Sequence, residues 1–130
     1  MESKALIDSH GRVVRDLRVS VTRRCNFRCT YCDPLGMGHK DPVGTVSVQD
    51  VANVISAAVG LGMTSVRFTG VEPLIRKELP EMIHHAKHVA EVPGVAITTN
   101  GSLLSRRLPE LLAAGLDRVN ISLDALDPEV

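Results

Sequence analysis

Segments with helical and with strand periodicity alternate along most of this chain, and this alternation restricts the fold more than any other feature. Ser47 and Asp50 form a capping pattern, and apolar residues such as Val51 and Ile55 then recur at helical spacing. The predicted strands are 17–21, 65–69, 95–99 and 118–122, and the predicted helices are 48–60, 78–90 and 104–114. This order is typical of an α/β protein with a parallel sheet.

Two stretches of the chain resemble each other, since each passes from a helix end through a glycine into a strand. They are residues 61–69 and 114–122. Such repetition suits a series of βα units, so we predict an α/β fold that forms a partial TIM-like (βα) barrel with parallel strands, truncated after about four strands. Because the last strand would then have an unpaired edge, we expect a fragment of a longer protein or a truncated product.

Polar residues collect where the predicted strands end. They follow the four strands as Thr22, residues 69–73, residues 98–100 and residues 122–124. Ligands of parallel sheets bind beyond the carboxyl ends of the strands, so this edge is the predicted site. The alternative is that strand ends are polar only because turns begin there.

Composition excludes several classes of function. The chain has 130 residues, of which 15 are basic and 15 are acidic. Of all residues, 44% are hydrophobic and 2% are aromatic. A zero net charge and so few aromatic rings argue against nucleic-acid binding. No apolar run approaches the roughly 20 residues that span a bilayer, and the first ten residues lack the apolar core of a signal peptide. We therefore expect a cytoplasmic protein with no membrane partner.

The charge is nevertheless uneven, because residues 1–32 contain seven basic and three acidic side chains. This region also contains all three cysteines. The surplus is either a solvated basic surface or a place where cations gather around an anionic ligand or cluster.

The cysteines Cys25, Cys29 and Cys32 lie within eight residues. A disulfide would leave one thiol over and would need an oxidising compartment. A structural zinc site needs four ligands, so a histidine such as His39 would have to join the three thiolates. An iron–sulfur cluster is the third reading, in which three thiolates leave one iron open to a small molecule.

The spacing Cys-x3-Cys-x2-Cys, with Tyr31 directly before the last cysteine, resembles the cluster loop of radical S-adenosylmethionine enzymes. Four further motifs resemble the GTP 3′,8-cyclase family within that superfamily. These are residues 18–22, 67–74, 98–101 and 122–124. The resemblance covers the chain from about residue 11 onward, and it implies that residues 1–130 are the N-terminal portion of a radical SAM core domain.

The resemblance implies a role for nine positions. Three residues would ligate a [4Fe–4S] cluster, three would contact S-adenosylmethionine at its open iron, and three would contact GTP. The cluster ligands would be Cys25, Cys29 and Cys32. The residues at S-adenosylmethionine would be Tyr31, Val71 and Ser122, and those at GTP would be Arg18, Arg67 and Thr98. A guanidinium suits a triphosphate because its planar fork makes bidentate, charge-assisted bonds.

The activity implied is that of a lyase in molybdenum cofactor biosynthesis. Reductive cleavage of S-adenosylmethionine would give a 5′-deoxyadenosyl radical, which converts GTP to 3′,8-cyclo-7,8-dihydro-GTP. The family also allows a homodimer, and its C-terminal half, with a second cluster, helps to hold GTP. The alternative function is an inactive, truncated iron–sulfur or zinc-binding module.

Position 71 departs from the family pattern, which has a second glycine before Glu72. Glycine serves where the backbone needs a positive φ or where a ligand approaches closely, and valine is poor at both. We therefore predict weakened binding of S-adenosylmethionine. Glu72 itself could receive the cofactor's ammonium group.

Other charged residues are expected to lie on solvated surfaces. His84 and His88 have the i, i+4 spacing of a metal pair but fall on the predicted outer helix. Two basic pairs near helix ends, 76–77 and 106–107, are predicted to be surface charges.

Overall fold

The computed structural model describes residues 5–22 and 46–123. The strands are β1 (Leu6–Ile7), β2 (Val13–Val14), β3 (Asp16–Ser20), β4 (Ser65–Thr69), β5 (Gly94–Thr99) and β6 (Arg118–Ile121). The helices are α1 (Val48–Gly60), α2 (Leu79–His84) and α3 (Leu104–Ala114). A 3-10 turn spans Pro73–Ile75, and α2 continues as a π-helical turn over His85–Val89.

Strands β3 to β6 form one parallel sheet in the order β3-β4-β5-β6, so the predicted α/β fold with parallel strands is confirmed. The predicted helices agree with the observed ones to within a few residues. The hairpin β1-β2 was not predicted, because each of its strands has only two residues and both are exposed. Asp8 holds its turn by accepting hydrogen bonds from the backbone of His10 and Arg12.

Helix α1 begins where the sequence predicts. The Ser47 hydroxyl accepts a hydrogen bond from the Asp50 backbone N–H at 3.0 Å, which satisfies one of the free donors of the first turn. Such a cap contributes about 1 kcal/mol. The helix then buries Val51, Ile55 and Ala58 against the sheet.

Helix α3 ends at Gly115, whose φ of 112° lies in the left-handed region. A side chain there would meet Lys87, because a Cβ on Gly115 would lie 2.6 Å from the Lys87 Cγ. The Lys87 Nζ in turn bonds the Pro93 carbonyl and the Asp117 carboxylate. This contact joins the π-helical turn to the start of β6.

The two faces of the parallel sheet differ in chemistry. One face carries the apolar residues that pack under the helices, among them Val66, Phe68, Val95 and Ile97. Each such side chain, when fully buried, contributes about 1.5–3 kcal/mol. Alternate residues of a strand point to opposite sides, so the other face carries a different set of side chains. That face is polar, because Arg18, Arg67 and Thr98 belong to this set.

Strand β6 lies at the edge of the described sheet, where it pairs with β5. Ile121 is 55% exposed and Leu123 is 65% exposed, as expected for a strand whose apolar side lacks a cover within the described residues. In residues 5–22 and 46–123, no helix has the length and apolarity needed to cross a bilayer.

Candidate functional site

The carboxyl ends of β3 and β4 are joined beyond the regular strands. The Val21 N–H donates to the Thr69 carbonyl at 3.0 Å, and the Val71 N–H donates to the Thr22 carbonyl at 3.2 Å. The segment after β4 therefore lies beside the last described residue before the cysteine segment.

Gly70 is the residue that this close approach requires. Its φ is 138°, and a Cβ on it would lie 2.6 Å from the Thr22 carbonyl oxygen. Among the described residues other than glycine, Glu91 alone has a positive φ, so Val71 is not in the left-handed region. Of the two reasons for glycine at position 71, a positive φ therefore does not apply in this chain. The other reason, a ligand close to position 71, stays a prediction, and the Val71 side chain is 43% exposed.

Glu72 lies directly after Val71 and is fully buried. The Thr99 hydroxyl lies 2.5 and 2.7 Å from its two carboxylate oxygens, and the Asn100 N–H donates to the carboxylate at 3.2 Å. Burial raises the pKa of Glu72, although hydrogen bonds from Thr99, Asn100 and the Leu74 backbone oppose the rise. The side chain therefore ties the segment after β4 to the end of β5.

Arg76 and Arg107 hold the same segment, and the prediction that they are surface charges is wrong. The Arg76 guanidinium donates to the Val21 carbonyl at 2.8 Å, and its side chain is 13% exposed. Arg107 donates from α3 to the carbonyls of Leu74 at 2.5 Å and of Arg76 at 2.8 Å. Two half-buried cations thus fix the segment that follows Glu72.

The predicted substrate-contacting residues share the polar face of the sheet. Arg18 and Arg67 are direct register partners on β3 and β4. Thr98 lies on the same face of β5, two residues beyond Ala96, which is the partner of Arg67. The structure therefore brings Arg18 and Arg67 together and places Thr98 nearer the carboxyl edge.

The predicted cofactor-contacting residues are only partly described. Val71 follows β4, and Ser122 follows β6, where its N–H donates to the Thr99 carbonyl at 2.9 Å. Both positions therefore lie at the carboxyl edge of the sheet. The remaining four, Cys25, Cys29, Cys32 and Tyr31, fall outside the described residues.

A cavity of about 260 Å³ lies on the polar face, toward the amino ends of the strands. It is lined by Asp16, Arg18, Ser65, Arg67 and Arg118. Arg118 was not identified from the sequence, although the alternation of β6 places residues 118, 120 and 122 on one face.

His84 and His88 lie on the outer surface as expected, whereas His85 is half-buried, with its Nε2 3.3 Å from the Ser56 Oγ of α1. The rings of His84 and His88 are 4.9 Å apart, and both side chains are exposed. The described residues contain no group of three or more His, Cys, Asp or Glu side chains placed to hold a metal ion.

Sequence comparison assigns a class that agrees with this parallel sheet and its carboxyl-edge loops. The chain belongs to the Radical SAM superfamily, whose family pattern matches residues 19–130. Within it, the chain is 45% identical over 121 residues to the GTP 3′,8-cyclase of Clostridium acetobutylicum and 46% identical over 124 residues to that of Mycolicibacterium smegmatis. These matches cover 93% and 94% of this chain but 38% and 34% of the two relatives. The chain thus spans well under half the length of these relatives.

Solved structures share the fold. Streptococcus suis SuiB, bound to the precursor peptide SuiA, matches 88% of this chain and 25% of its own chain with a TM-score of 0.69 and 23% identity. BtrN in complex with AdoMet and 2-DOIA matches 88% of this chain and 47% of its own with a TM-score of 0.66 and 22% identity. The predicted partial barrel of parallel βα units is confirmed at the level of the fold.

Proposed function

We propose that this chain is the N-terminal, cluster-bearing part of a radical SAM GTP 3′,8-cyclase acting in molybdenum cofactor biosynthesis. Identity of 45% to a GTP 3′,8-cyclase over 93% of the chain supports the family activity. The observation that carries the proposal is the in-register pair Arg18 and Arg67, with Thr98 on the same polar face. Two neighbouring guanidinium groups outnumber the one carboxylate beside them, that of Asp16, and such a pair suits a nucleotide phosphate.

The donor set fits a [4Fe–4S] cluster. Cys25, Cys29 and Cys32 come shortly after Thr22, whose carbonyl is bonded to the segment after β4. Thiolates are the ordinary ligands of such clusters, and three of them leave one iron for S-adenosylmethionine. When both groups are bound and an external reductant has given the cluster one electron, they would supply a carbon-centred radical able to remove a hydrogen atom from the substrate.

The described residues would position S-adenosylmethionine through their backbone. Val71 and Ser122 follow β4 and β6, and Tyr31 would join them from the cysteine segment. Glu72 connects the two described positions, because it bonds Thr99 and the Thr99 carbonyl accepts from Ser122. Its carboxylate is already engaged within the protein, so we assign Glu72 a positioning role rather than that of an ammonium acceptor.

GTP would lie on the polar face. Arg18 and Arg67 would bind phosphate oxygens, while the Thr98 hydroxyl would bond the part of the nucleotide nearer the carboxyl edge. The remainder of a full-length relative would complete the site, and a homodimer stays a prediction. Cyclisation to 3′,8-cyclo-7,8-dihydro-GTP is thus the activity proposed for the whole protein.

Metal analysis after anaerobic reconstitution tests the proposal against a structural zinc module. We expect four irons and four sulfides per chain, because the donor set matches a cluster. One zinc and no sulfide would contradict the proposal. The Cys29→Ala variant removes one of the three thiolates. Its matched control is Thr30→Ala, which alters the neighbouring residue without removing a thiolate.

The Val71→Gly substitution tests the predicted contact with S-adenosylmethionine. We expect tighter binding by the variant, because glycine admits a closer ligand. Calorimetry on the reconstituted proteins measures the two affinities, and Val71→Ala should fall between them. Equal affinities of the wild type and Val71→Gly would contradict a close approach at this position.

A further inference from the structure

A row of arginines crosses the polar face of the sheet. Arg18 is the register partner of Arg67, Arg67 is the partner of Ala96, and Ala96 is the partner of Arg118. Neighbouring strands lie about 4.8 Å apart, so the Cα atoms of this row span about 14 Å. Arg118 was assigned no role by the sequence motifs, yet it lines the same cavity as the other two arginines.

Small residues on β5 open the space between Arg67 and Arg118. The Arg118 Nη2 lies 3.6 Å from the position that a Cβ would take on Gly94, and the Ser65 Oγ lies 4.0 Å from that point. The Arg118 side chain therefore extends over Gly94 toward β4. Glycine and alanine on β5 let this guanidinium reach the cavity from the far strand.

The cavity carries a net positive charge. Its three arginines outnumber the one carboxylate, that of Asp16. Within residues 5–22 and 46–123, no hydrogen bond or ion pair is recorded for the side chains of Arg18 and Arg67, while Arg118 acts electrostatically on the Asp117 carboxylate and helps to lower its pKa. Because like charges held close together repel one another, an anion with several oxygens would stabilise this arrangement.

We propose that Arg118 is the third member of a polyphosphate-binding site formed with Arg18 and Arg67. This inference rests on the proposed function and adds the orientation of the nucleotide. The arginine row lies two residues, or about 7 Å, from Thr98 toward the amino ends of the strands. The phosphates bind at this row, and the nucleoside points to the carboxyl edge, where the cysteine segment begins.

Binding of inorganic tripolyphosphate to the full chain tests the site without the nucleoside. We expect Arg118→Ala to weaken binding about tenfold, because one charge-assisted contact is lost. Arg118→Lys should recover part of the affinity, since it keeps the charge but not the planar fork. The matched control is Arg106→Ala, which removes the same charge from an exposed position on α3 and should change binding less than twofold.

Two results would overturn the inference: wild-type chain that does not bind tripolyphosphate, or equal affinities of Arg118→Ala and Arg106→Ala. Titration of GTP and ATP separates this failure from failure of the proposed function. Normal GTP binding by Arg118→Ala would refute the role of Arg118 alone. Tripolyphosphate binding that depends on Arg118, together with equal affinity for GTP and ATP, supports the anion site but contradicts the GTP assignment.

Discussion

Replacing Thr99 by valine tests the buried link between the segment after β4 and the end of β5. Valine has nearly the same shape, so the substitution removes a hydroxyl without opening a large cavity. The lost bond reaches a buried carboxylate, that of Glu72, and hydrogen bonds to charged groups contribute about 1.5–3 kcal/mol. The same hydroxyl accepts from the Gly101 N–H at 3.0 Å, a bond of about 1 kcal/mol. We expect a total loss of about 3 kcal/mol.

Urea unfolding of the full chain, followed by circular dichroism, measures this loss. At a slope of about 2 kcal/mol per molar urea, the midpoint should fall by about 1.5 M. Thr99→Ser is the control, because it keeps the hydroxyl and removes one methyl group, which costs about 1 kcal/mol. Equal midpoints for Thr99→Val and Thr99→Ser would refute the claim that the bond to Glu72 stabilises this edge.

Three further substitutions test the framework of the same site by urea unfolding. Gly70→Ala should destabilise the chain by about 2 kcal/mol or more, because its φ and close packing exclude a side chain, whereas Gly60→Ala in α1 should stabilise it by up to about 1 kcal/mol. If Gly70→Ala lowers the free energy of unfolding by no more than about 0.5 kcal/mol, as an ordinary surface substitution does, the close packing of Gly70 against Thr22 is contradicted. Arg107→Ala should cost about 2–3 kcal/mol through its carbonyl bonds, and Arg106→Ala less than about 0.5 kcal/mol. Equal losses would refute the role of the half-buried Arg107. Burial raises the pKa of Glu72, so above the ordinary glutamate pKa the folded chain holds a proton that the unfolded chain has lost. The stability of the wild type relative to Glu72→Gln should therefore fall as the pH rises above that ordinary value, and a difference that does not change with pH would contradict this.

The elements of the sheet and helices were predictable because their signals are local. Ser47 caps α1 and Gly115 ends α3, and both residues do so in the structure. The β1-β2 hairpin was not predictable, since strands of two residues show no periodicity. The π-helical turn after α2 also has no distinct pattern in the sequence, although its residues were expected to be helical.

The site was less predictable, because its contacts join residues far apart in the chain. Arg76 bonds the Val21 carbonyl and Arg107 bonds the Leu74 carbonyl, and no local pattern separates such cations from surface ones. The positive φ falls at Gly70 rather than at position 71, because Gly70 is the residue that lies against the Thr22 backbone. Arg118 emerged only when the strand register aligned it with the two other arginines.

Formation of 5′-deoxyadenosine tests the proposed function most directly. The chain is reconstituted anaerobically, reduced and given S-adenosylmethionine, and the product is quantified by chromatography. We predict that the wild type and Thr30→Ala form 5′-deoxyadenosine and that Cys29→Ala forms none, because Cys29 is a proposed cluster ligand. Wild-type chain that carries four irons yet forms no 5′-deoxyadenosine would contradict the account.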